Sequence, residues 1–168
     1  LRIQVRNYSV GVVVITTLLL PAIAIIPMKL FGVIKDYSLS TRHDRIFPLI
    51  IVALCYGLCG WMLGAAPELY LLNRMMLTAM LCTVFAMVVN FWWQISLHMT
   101  AAGEAVGMLT LFMIVGTPNI VVIYCLLVLL TGLLGSARLY LGKHTPAQVG
   151  LGFLGGFLIS TLTLLFWL

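Results

Sequence analysis

The chain has 168 residues, of which 63% are hydrophobic and 8% charged, and nine Lys and Arg against four Asp and Glu give a formal net charge of +5. A soluble domain of this length has no way to hide so much apolar surface, so the composition excludes a water-soluble globule and predicts an integral membrane protein. The positive balance fits an anionic lipid partner, and the lack of a basic helix or stacking platform excludes nucleic acid.

Runs of about 18 or more apolar residues mark helices that cross a hydrocarbon core roughly 30 Å thick, at about 1.5 Å per residue. Six runs qualify, at residues 10–30, 46–64, 71–92, 97–115, 120–136 and 147–167. Residues 121–134 are apolar on every face, which a β-barrel strand with alternating faces would not be. The expected fold is therefore all-α: a polytopic membrane protein with six transmembrane helices in one bundle, forming a single domain over residues 1–168.

The chain opens at Leu1 without a Met, and its first apolar run is too long for a cleaved signal peptide, so residues upstream are expected. Pro48 is expected to open the second span, Pro67 to lie in the next loop, Pro118 to precede the fifth span and Pro146 the sixth. Thr145, Pro146 and Gln148 form a capping box that starts the last helix and puts His144 at its positive end. Cys55, Cys59, Cys82 and Cys125 all fall inside spans and read as small buried hydrophobes, neither disulfides nor metal ligands. Small residues four apart, Gly60 with Gly64, Gly132 with Ser136 and Gly152 with Gly156, predict close helix packing. Trp61, Trp92, Trp93 and Trp167 read as interface anchors, and the Met-rich stretch from Met75 to Met87 as packing.

Charge is scarce here, and where it sits is informative. In a six-span topology the segments after spans one, three and five share one side. They carry Lys35 and Arg42, Ser96 and His98, and Arg138 and His144. These types suit a phosphoryl group: Lys and Arg neutralise its oxygens, Ser donates a hydrogen bond, and two histidines divide nucleophilic attack from protonation of the leaving oxygen. The bland reading is that Lys35, Arg42 and Arg45 contact headgroups or set topology, and that His98 is an interfacial histidine. Of the nine cations, six lie near span ends on this side and three opposite; without the three suspected ligands each side has three, so the positive-inside rule assigns no face.

Lys35 to Arg42 has the spacing of KxxxxxxRP, Ile95-Ser96-Leu97-His98 follows PSGH, and Ala137-Arg138 with His144 follows SRxxxxxHxxxD. On these motifs the chain resembles the type 2 phosphatidic acid phosphatase superfamily, and is similar to its short bacterial membrane members. The resemblance implies a membrane-embedded, metal-independent phosphatase of lipid phosphates or diphosphates in a bacterial inner membrane, needing no cofactor. In it His144 forms a phosphohistidine, His98 protonates the leaving group, and Lys35, Arg42, Ser96 and Arg138 hold the phosphate. Arg45 competes with Arg42 for the first-motif role. The motifs depart from the family at His43, Ile95, Leu97 and Ala137, and Gln148 stands where the family has Asp. An amide orients a ring but supplies no negative charge.

Glu104 lies inside the fourth span, where a carboxyl is costly unless paired, wetted or kept neutral. It is a candidate for the charge missing at Gln148; Glu104→Gln is then expected to lower activity more than Gln148→Ala. Asn90 and Gln94 read as helix-to-helix hydrogen bonders. Two other functions stay open: a phosphate-headgroup binder without turnover, and a small transporter using Glu104, Asn90 and Gln94.

Overall fold

The structure, a computed structural model, describes residues 3–34 and 41–167. Among the described residues every regular element is helical. Six helical stretches are long and apolar enough to cross a membrane: Ile3–Leu30, Arg42–Leu63, Pro67–Trp92, Leu97–Ile114, Ile120–Tyr140 and Pro146–Trp167. Contacts divide the chain into two compact units, Leu1–Asn90 and Phe91–Leu168.

The first unit begins with one long helical stretch, α1 (Ile3–Val13) and α2 (Leu20–Leu30), joined by a π-helical segment Val14–Leu19. The wider π turn comes just before Pro21, whose ring would otherwise clash with the carbonyl four residues back. Thr16 and Thr17 turn their hydroxyls onto the carbonyls of Val12 and Val13, at 2.7 and 2.8 Å, and so carry no unsatisfied donor into the apolar layer.

Helix α3 (Arg42–Leu63) is capped by Thr41, whose hydroxyl accepts from the Asp44 amide at 3.3 Å and donates to the Asp44 carboxylate at 2.7 Å. A 3-10 turn at Pro67–Leu69 leads into α4 (Tyr70–Trp92). Val12, Cys59, Leu63 and Leu69 form the buried cluster where α1, α3 and this turn meet. A Cβ on Gly60 would meet the Leu77 side chain at 2.8 Å, so this glycine lets α4 approach α3. Asn90, almost fully buried, donates from its amide to the Arg42 carbonyl at 2.9 Å, which ties the end of α4 to the start of α3.

The second unit is α5 (Leu97–Ile114), α6 (Ile120–Tyr140) and α7 (Pro146–Trp167). Helices α5 and α7 run parallel at backbone contact. A Cβ on Gly103 would collide with the Phe153 carbonyl, one on Gly156 with the Thr100 carbonyl, one on Gly107 would meet the Phe157 carbonyl at 2.7 Å, and one on Gly152 the Ser96 carbonyl at 2.8 Å. In lipid, where apolar side chains gain nothing by leaving their surroundings, such close approach is the main source of helix attraction.

Several details differ from the sequence reading. The first, second, third and fifth spans extend beyond their apolar runs, to Ile3, Arg42, Pro67 and Tyr140, because hydropathy registers only the part of a helix in hydrocarbon and not its continuation among headgroups. Pro67 thus opens the third stretch and does not lie in a loop. Pro48 therefore lies inside α3 and does not open it. Gly152 with Gly156 and Gly60 with Gly64 do face neighbouring helices, whereas nothing lies within 4 Å of a Cβ on Gly132, and Ser136 is exposed. Cys55, Cys59 and Cys82 are buried thiols outside any disulfide, but Cys125 is exposed on α6. Trp61 and Trp92 are strongly exposed near span ends, as anchors should be.

Candidate functional site

The start of α5, the end of α6 and the start of α7 converge at one end of the second unit. Helix α6 ends in a left-handed turn: Gly142 has φ +60°, and the Lys143 amide reaches back to the Arg138 carbonyl at 3.3 Å while the Gly142 amide reaches Leu139 at 3.0 Å. This closing pattern satisfies the last carbonyls of the helix and needs a residue without a Cβ at its centre. It leaves Arg138 on the last turn of α6, favourably placed against the negative helix end.

Five residues later α7 starts with the capping box expected from the sequence. The Gln148 amide N–H donates to the Thr145 hydroxyl at 3.3 Å, and the Thr145 N–H donates to the Gln148 side-chain oxygen at 3.0 Å. That same oxygen lies 3.2 Å from Nδ1 of His144, which is 7% exposed. The geometry fixes the chemistry. The atom that accepts from the Thr145 N–H must be the amide oxygen, since an NH₂ cannot accept there, and Nδ1 of His144 must then be the donor. In its neutral form His144 therefore carries its proton on Nδ1 and its lone pair on Nε2.

Ser96 precedes α5, and its N–H donates to the Gln148 carbonyl at 3.4 Å, which places the start of α5 against the first turn of α7. It occupies the N-cap position without capping: no hydrogen bond joins its hydroxyl to the helix amides. The side chain is 0% exposed, and Oγ has no hydrogen-bond partner among the described residues. Nε of Arg138 is likewise buried without a partner among them. A buried donor left unsatisfied costs about 1–3 kcal/mol, so each of these two groups seeks an acceptor. His98 lies in the first turn of α5 and is exposed.

The second unit thus gathers Ser96, His98, Arg138, His144 and Gln148 at one end. Arg42 and Arg45 belong to the first unit, in the first turn of α3, with Arg42 exposed and Arg45 buried. Lys35 lies outside the described residues. Glu104 is half-buried on α5, beside Gly156 of α7, and the contact to His144 Nδ1 is made by Gln148. Asn90 has the helix-bonding role expected of it. The sequence reading overlooked Asp44, buried and bound to the Thr41 cap; its signal was Thr41 three residues ahead of it. Among the described residues no three of His, Cys, Asp and Glu are grouped to hold a metal ion.

An apolar groove of about 440 Å³ runs from this end along all three helices of the unit, lined by Met99, Val106, Thr131, Gly135, Leu139 and Val149 among others. Met99, Leu139 and Val149 each adjoin a residue of the polar end in sequence, so the groove begins where the polar groups stop. No family model, curated protein or solved structure matches the chain.

Proposed function

We propose that the protein is a membrane-embedded phosphatase of lipid phosphates or diphosphates, acting through a phosphohistidine on His144 without a metal, in a bacterial inner membrane. The observation that carries this reading is the pair of donors buried without a hydrogen-bond partner among the described residues, Ser96 Oγ and Arg138 Nε, in the unit that holds the tautomer-fixed ring of His144. A phosphate oxyanion is an acceptor that suits both.

Nε2 of His144 attacks phosphorus, and the bond to the leaving oxygen breaks as protonated His98 passes that oxygen its proton. Neutral His98 then takes a proton from water. The resulting hydroxide attacks the phosphohistidine, releases inorganic phosphate and restores both rings. Gln148 holds the attacking ring in one tautomer throughout, and the apolar groove takes hydrocarbon from the substrate. The motif resemblance supports the same roles.

The test is phosphate release from a panel of lipid phosphates and diphosphates in detergent with chelator present, comparing the unmodified protein with His144→Ala and His98→Ala. Release that disappears with either histidine is the expected result; release that survives His144→Ala overturns the assignment. A second reading, headgroup binding without turnover, is favoured by one observation: the partner of His144 Nδ1 is a neutral amide. It predicts retained binding and no release by the unmodified protein.

A further inference from the structure

The apolar groove of the second unit has a floor as well as a mouth. Its α5 and α6 walls are antiparallel and in register at both ends. Next to the polar end a Cβ on Gly135 of α6 would lie 3.5 Å from the Met99 methyl of α5. The same number of residues away on each helix, in opposite chain directions, the Thr110 and Tyr124 hydroxyls are hydrogen-bonded at 3.3 Å. Val106 and Val128 are the deepest lining residues of α5 and α6, and this bridge lies one turn beyond both of them. It ties the two helices together where the groove stops. The Thr110 hydroxyl also lies 2.8 Å from the Val106 carbonyl, which holds the bridge against the helix turn that ends the lining.

The walls present carbon. Two lining side chains carry a hydroxyl: Ser136 turns its own onto the Gly132 carbonyl at 2.9 Å, and that of Thr131 is sealed beneath the groove surface. Part of the room comes from glycine. Nothing lies within 4 Å of a Cβ on Gly132 or on Gly150, both of which line the groove.

Dimensions choose the occupant. From Leu139 to Val128 the lining runs about 16 Å along α6, at about 1.5 Å per residue. A volume of about 440 Å³ over that length leaves a mean cross-section of roughly 27 Å², whereas a helix with its side chains, about 10–12 Å across, fills at least about three times as much. The groove is too narrow for a helix of a second copy and suits one hydrocarbon chain. An extended chain advances roughly 1.2 Å per bond, as an extended backbone does, so about 14 carbons reach from Leu139 to the bridge. A shorter chain leaves the deep part without partner atoms, and a longer one has to turn out sideways into lipid. We infer that the groove measures the substrate's hydrocarbon: it takes one chain of about 14 carbons, and Tyr124 sets that length. This rests on the proposed function in that the phosphate lies at the end with Ser96 and Arg138.

The experiment equilibrates the full chain in detergent with an equimolar mixture of n-alkyl phosphonates, from decyl to octadecyl, and reads the retained ligands by native mass spectrometry. A phosphonate keeps its carbon-phosphorus bond, so chain preference is read whether or not the protein turns over a phosphate. Retention is expected to peak near tetradecyl and to fall by octadecyl. Tyr124→Ala opens the next turn of α6 and moves the peak about four carbons longer, the length of one turn. Gly132→Phe fills the deep turn and moves it about four carbons shorter; because a Cβ there meets nothing, this variant serves if Tyr124→Ala does not fold. Leu130→Phe, exposed on α6 outside the lining, leaves the peak in place. Retention that is flat or rises steadily to octadecyl, a peak that stays put in both Tyr124→Ala and Gly132→Phe, or no retention of any phosphonate overturns the inference. Chain preference without phosphate release counts against the phosphatase alone, and release without chain preference counts against the measuring groove alone.

Discussion

Ser96→Ala separates a ligand-seeking hydroxyl from a structural one. A serine at an N-cap ordinarily contributes about 1 kcal/mol by bonding a helix amide, and its loss destabilises. Ser96 makes no such bond, is 0% exposed and has no partner for Oγ among the described residues. Removing an unsatisfied buried hydroxyl therefore relieves a desolvation cost of roughly 1 kcal/mol, the lower end of the range for such groups. For a chain of this size that is an upward shift in unfolding temperature of roughly 2–4 °C. On the proposed phosphatase reading the substrate complex responds in the opposite sense, because a hydrogen bond to a charged phosphate oxygen is lost. At about 2 kcal/mol that loss lowers kcat/KM roughly thirtyfold. Thermal unfolding in detergent and phosphate release from a lipid phosphate, measured on the same preparations, read both numbers. A Ser96→Ala protein that is less stable and equally active would refute the reasoning, since it would mean that the hydroxyl has a protein partner and no ligand.

Gln148→Glu keeps the atoms that accept from Thr145 and His144 and adds the charge that a phosphohistidine favours; replacing a neutral bond by a charge-assisted one, about 1 kcal/mol better, raises phosphate release roughly fivefold. Glu104→Gln measured beside it asks whether the charge is already supplied from α5, in which case Gln148→Glu brings no gain. Gly156→Ala forces a Cβ onto the Thr100 carbonyl and is expected to lower stability by about 1–3 kcal/mol, whereas Gly132→Ala, with open space around it, changes stability by less than about 0.5 kcal/mol; thermal unfolding in detergent compares the two. Gly142→Ala places a side chain at φ +60° and costs about 1 kcal/mol, with phosphate release falling as the Arg138 to His144 turn loosens; an unchanged unfolding temperature would contradict the turn as described.

Lipid as solvent made the helices legible. A spanning segment must satisfy every backbone group internally, so length and apolarity alone mark the six helices in residue order. The capping box at Thr145 and Gln148 was equally legible, because a cap is a local bond between residues three apart. Helix ends were less so: Arg42 and Tyr140 lie beyond the apolar runs, where sequence offers a polar residue but not the cap or turn that uses it.

What the sequence by itself determined was the helical class, the span order and the polar residues at three span ends, since each follows from composition or from neighbours a few positions apart. Only the tertiary structure decided that Gly103 and Gly107 meet the backbone of α7, that Ser96 is sealed without capping its helix, and that the Gln148 oxygen sets the proton position on His144. The reason is physical. Periodicity records how much of a residue must avoid water, but which glycine is crowded and which hydroxyl lacks a partner depend on atoms brought close by a second helix far along the chain.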